Sequence, residues 1–143
     1  MSTYMQGALK AGAGFSEAPS GLGVGFAMFT QSKTNSGVSG LTQDITFELP
    51  PGSQLIAVIP DVLTAYDSAT SATLSVGTAS GGTQYASAIN AKTAGRAAVT
   101  VSAAQAAAMD DIGTSTSVVA TITSVGQPTA GLVRVTLQYA IVQ

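Results

Sequence analysis

Apolar residues recur at every second position along most of this chain, the period of strands that bury one face. Ile45, Phe47 and Leu49 alternate with Thr46 and Glu48, and Ala72, Leu74 and Val76 repeat the pattern. Near the end, Val133, Val135, Leu137, Tyr139 and Ile141 share one face of LVRVTLQYAIV, and VVATITSV (118–125) precedes them as another strand. TQYASAI (83–89) reads as a further strand. From Leu22 the segment LGVGFAMFTQ places Leu22, Val24, Phe26 and Met28 on one face, with Gly23 and Gly25 opposite, where glycine suggests a bulge or a close neighbouring backbone. LIAVIPDVLTAY (55–66) is apolar on both faces, which predicts a central strand or one covered by a neighbouring subunit. Pro60 inside it lacks an N–H and predicts an edge position or a bulge.

Turn signals punctuate these strands: SKTNSGVSGLT (32–42), Pro50–Ser53, Ser80–Gly82, and a hairpin-type loop at GQPTAG (126–131). One stretch departs from the two-residue period. SAAQAAAMDDIG is alanine-rich, and Ser102 with Gln105 has capping-box spacing, so a short helix is predicted from about Ala103 to Met109, ending near Gly113 and lying over a loop at one end of the sheets. Seven or eight short strands separated by turns predict an all-β fold, an antiparallel β-sandwich of jelly-roll or immunoglobulin-like topology, with one short helix. Residues 1–20, interrupted by Gly7, Gly12, Gly14 and Pro19, read as an N-terminal arm that orders on a partner, and 21–143 as the sandwich domain. There is no internal repeat.

Composition changes the picture in two ways. The 143 residues include no Cys, His or Trp, which excludes disulfides, Cys/His zinc sites, thiol nucleophiles and histidine acid–base chemistry. Charged residues are 8% of the chain, against roughly 25% in an ordinary soluble domain. A mean hydropathy of +0.37 opposes disorder. A folded chain with so few charges is explained most simply if other protein covers several of its faces, so an obligate assembly is expected; the alternative is a monomer wetted by Ser and Thr. The net charge of −2 is dispersed, so no nucleic-acid footprint forms. The uncharged stretch 112–133 is too polar to span a bilayer, and the N-terminus lacks the basic and apolar regions of a secretory signal, so neither membrane insertion nor export is expected.

Candidate chemistry is sparse. Glu48, Asp61 and Asp67 lie in or beside strands, where paired carboxylates could hydrolyse glycosides, although strand-edge acids are ordinarily solvated or form turns. Asp110-Asp111 suggests calcium, but adjacent acids rarely converge on one ion and no D-x-[DN]-x-[DN]-G pattern follows. The 16 serines and three lysines occur without an S-x-x-K or G-x-S-x-G context. Gly21, Gly23 and Gly25 imitate a phosphate loop that fails at Phe26. Tyr66 and Tyr85 are the candidate platforms for stacking a sugar, against the ordinary role of a half-buried sheet tyrosine. No catalytic residue, cofactor or metal is expected.

ELPPGSQLIAVIPDVLTAYDS, ATLSVGT, YASAINAKTAGR, VVATITSVG and AGLVRVTLQYA together resemble small β-sandwich structural proteins of tailed bacteriophages, the capsid decoration (cement) proteins and related head- or tail-associated proteins. The resemblance spans roughly Leu41 to Ala140. It implies a non-enzymatic virion component, made in the host cytoplasm, that binds the major capsid protein or another virion protein, commonly as a trimer. A tail or fibre component that recognises host glycans is the alternative it leaves open.

Overall fold

Alternation becomes burial most directly in β2 (Thr42–Glu48), where Gln43, Ile45 and Phe47 are buried and the residues between them are exposed. β8 (Leu132–Ile141) does the same with Val133, Val135, Leu137 and Tyr139. The structure, a computed structural model, describes residues 27–141. The remaining strands are β1 (Ala27–Thr34), β3 (Gln54–Thr64), β4 (Ser71–Gly77), β5 (Ala86–Asn90), β6 (Gly95–Arg96) and β7 (Ser117–Val125). One helix, α1 (Ala103–Met109), lies between β6 and β7.

The strands form two four-stranded antiparallel sheets, ordered β1-β8-β3-β6 and β2-β7-β4-β5. Within each sheet first pairs with last, second with seventh, third with sixth and fourth with fifth. That nested winding is a jelly roll and decides between the two topologies the sequence left open. It also corrects one expectation. Residues 126–131 do not close a hairpin, because β7 and β8 belong to different sheets; they carry the chain across the sandwich, as 50–53 do between β2 and β3. Among the described residues, consecutive strands pair directly only in β4–β5, around Ser80–Gly82.

β3 lies inside its sheet, between β8 and the short β6. Its register against β8 shifts at Leu55/Ala57 and at Val62/Thr64. The residues extruded there, Ile56 and Leu63, are 39% and 45% exposed, so the unbroken apolar run contains two bulges. Pro60 sits in neither bulge. Its carbonyl accepts from Ala97 N at 3.0 Å, and in an antiparallel ladder the N–H and C=O of a residue point the same way. The missing donor therefore faces the side where only a two-residue strand pairs, and the β8 ladder loses nothing.

β1 continues through Ser32, Lys33 and Thr34, expected to begin a turn. Met28, expected on a buried face, is 51% exposed. Leu22–Phe26, the glycines among them and the arm expected over 1–20 lie outside the described residues. The helix forms over its expected residues because its cap is local: Ser102 Oγ accepts from Gln105 N, and Gln105 Oε1 accepts from Ser102 N at 2.9 Å. Gln105 Nε2 also donates to Thr83 O and Ser87 Oγ, tying the helix to the β4–β5 side, while Met109 and Ile112 close the core.

Candidate interaction surfaces

The carboxylates singled out in the sequence are each held by neighbours of their own. Asp61 receives Arg96 Nε and, at 3.4 Å, Arg134 Nη2; the Arg96 hydrogen bond, aided by Arg134, holds its carboxyl below the ordinary aspartate range. Asp67 accepts from Thr129 Oγ1, from Thr129 N at 2.8 Å and from Ala130 N at 3.1 Å, and these donors lower its pKa to about 2. Glu48 accepts from Thr116 Oγ1 at 3.1 Å and Ser117 Oγ at 2.7 Å. Asp111 accepts from Gly113 N, and Asp110 caps the helix C-terminus. They stay exposed in an open depression with Gly52 and Gln54. Among the described residues no three acids gather as metal ligands. Lys33 donates to Thr46 O and Lys92 to Ser68 O, so neither reaches a serine hydroxyl.

The stacking platforms are overturned. Tyr66 is 1% exposed and Tyr85 3%, and burial raises the pKa of both phenols. Tyr66 belongs to a buried polar cluster at one end of the sandwich. Asn35 Nδ2 donates to Tyr66 Oη at 3.0 Å and to Gly37 O, and lies 2.8 Å from the Gln43 side-chain amide. Asn35 also exchanges bonds with the Val133 backbone, Val133 N donating to its Oδ1 at 2.7 Å and Asn35 N to Val133 O at 3.0 Å. One asparagine thereby fixes the end of β1 against β8 and β2. The one signal of this cluster along the chain is a polar Gln43 in the otherwise apolar face of β2.

What remains for recognition is the exterior. Cross-strand register assigns Thr42, Thr46, Ser117, Thr123, Ser71, Thr73 and Ser75 to the outer face of the β2-β7-β4-β5 sheet. The β4–β5 loop folds onto this face, where Ser80 Oγ and Thr121 Oγ1 donate to Asp44 Oδ1 and Gly81 N donates to Thr121 Oγ1. Hydroxyls therefore dominate this side, and they also engage the two carboxylates on it, Asp44 and Glu48. The other sheet differs. Its outer face carries Met28, Thr30, Ser32, Ala57, Ile59, Thr136 and Gln138, and its only charges among the described residues are the Asp61–Arg96–Arg134 group and its edges. Phe29, 44% exposed, stacks on Tyr139 with ring centroids 5.8 Å apart.

No protein-family model matches the chain, and no curated protein does. Among solved structures, a chain of the cyanophage Pam1 capsid asymmetric unit is similar, with a TM-score of 0.56 and 22% sequence identity. The match covers 94% of this chain and 96% of that one, so the two share a fold from end to end.

Proposed function

We propose that this chain is a structural component of a phage virion, a jelly-roll decoration (cement) subunit that binds and stabilises an assembled capsid. The observation that carries this reading is the end-to-end likeness to a chain of a cyanophage capsid asymmetric unit, with 96% of that chain matched. The physical chemistry agrees. Only 8% of residues are charged, acids such as Glu48 and Asp67 are engaged by hydrogen bonds within the molecule, and apolar side chains such as Met28 and Phe29 stay exposed. A subunit lying on a shell with sister copies beside it needs few charges, and many weak contacts add up over a lattice. Each contact contributes about 25 cal/mol per Å² of apolar area, offset by the ordering of its side chains.

In this reading the partner is the major capsid protein, residues 1–20 form the arm that reaches it, and the copies assemble, as the resemblance implies, about a three-fold axis. The test is heat or osmotic challenge of capsid shells with and without the added chain. Shells carrying it retain their contents at temperatures that open bare shells, and deletion of residues 2–20 leaves the sandwich folded while weakening shell binding. Equal loss of contents with and without the chain contradicts the proposal.

A further inference from the structure

A two-sheet sandwich exposes four strand edges, and unpaired edges invite another strand. Three of them are defended. β2 offers the Thr46 and Glu48 carbonyls, but Lys33 Nζ and Gln31 Nε2 already donate to them, and its exposed residues include Asp44 and Glu48. β5 has five residues, a register shift against β4, and Ala88 at φ 56°. β6 has two residues.

β1 is the exception. It runs for eight residues in unbroken register with β8 and holds neither proline nor bulge. Asn35, one residue beyond it, donates its backbone N–H to Val133 O at 3.0 Å, so the odd-numbered residues of the strand point their backbone groups at β8. Those of Met28, Thr30, Ser32 and Thr34 therefore face away from β8, where no described strand pairs with them. Its single charge, Lys33, is folded back over the Phe47 ring and does not guard the edge.

We propose that this edge pairs with the same edge of a second copy, antiparallel about a two-fold axis at Gln31. That register sets Met28 opposite Thr34, Thr30 opposite Ser32 and Phe29 opposite Lys33, so every outward-facing backbone pair meets its complement and no two charges oppose one another. It is self-complementary, as a two-fold contact requires. Among the described residues no strand of the same chain pairs with this edge, and a second copy presents it with an identical, equally unpaired strand. The contact joins the two sheets into one eight-stranded sheet and covers Met28 and Phe29. It is a contact between two copies of the chain alone and needs no shell.

The test uses the full chain alone. Sedimentation at micromolar concentration yields an even multiple of the chain mass, and Thr30→Pro, which deletes an outward donor and leaves the β8 ladder intact, halves it. The chain lacks cysteine, so Gln31→Cys reports the axis directly: mild oxidation yields a covalent dimer, whereas Thr123→Cys on the hydroxyl face does not. The cysteine pair decides the matter should Thr30→Pro fail to fold. A single-chain or odd-multiple mass, a folded Thr30→Pro protein of unchanged mass, or equal cross-linking at both positions overturns the proposal. So does slow exchange of the Thr30 and Ser32 amides in a monomer, which assigns the edge to residues 1–26 of the same chain. Shell binding by Thr30→Pro is scored separately, so loss of the pairing and loss of the decoration reading are distinguishable.

Discussion

Tyr66 shows what single residues do in this protein. Its hydroxyl meets Asn35 and the Gln43 amide inside the molecule, so Tyr66→Phe leaves a buried amide donor short of a partner and costs about 1–3 kcal/mol in denaturant unfolding. The ring also lies against a backbone. A Cβ on Gly131 would stand 2.6 Å from Tyr66 ring carbons, so Gly131→Ala forces the loop or the ring to move and destabilises by about 1–3 kcal/mol, read as a lower melting temperature. None of this was legible locally. A tyrosine followed by Asp-Ser looks like an exposed loop residue, and only partners from β2, the end of β1 and the β7–β8 connection bury it. The acids were legible as strand-edge groups without a shared site, but not in their partners: Asp67 bonds Thr129 and Ala130, more than sixty residues away on the β7–β8 connection.

Elements whose signal is local were readable, and those whose place depends on distant partners were not. The helix carries its own cap, so Ser102 and Gln105 announced it; Ser102→Ala removes half of the capping box and costs about 1 kcal/mol, measurable by chemical denaturation. β2 and β8 were readable because one face of each is core. β1 was readable only in part: the strand expected over 22–31 includes Ala27–Gln31, but as an edge strand it is exposed almost throughout, and polar Ser32–Thr34 resembles a turn once the alternation is lost. β6 carries two residues and no period at all. The 126–131 segment has the composition of a hairpin, yet composition cannot say that its flanking strands join different sheets.

At the scale of the molecule, strand count and period fixed a sandwich, while jelly-roll winding emerged only from the pairing of strands far apart in sequence. The lack of histidine and cysteine gives a pH prediction. Apart from the amino terminus nothing titrates near neutrality, so stability is flat there. The Asp67 pKa falls from 3.8 to about 2 on folding, and that of Asp61 falls too, so their contribution is complete above pH 3.8 and is lost as pH falls toward 2. Asp67→Asn shallows that acid limb in a series of melting curves. At the alkaline end, Tyr66 and Tyr85 have pKa values raised above 10.0 by burial, so stability present below pH 10.0 declines above it as the unfolded phenols ionise first.

The proposal that rests on the charge-poor exterior and on the fold shared with a capsid chain is that this chain works while covered by other virion proteins. Co-sedimentation with assembled phage capsid shells tests that claim most directly. The account predicts saturable binding at a fixed ratio of copies per capsid protein; a chain that stays in the supernatant at every concentration contradicts it.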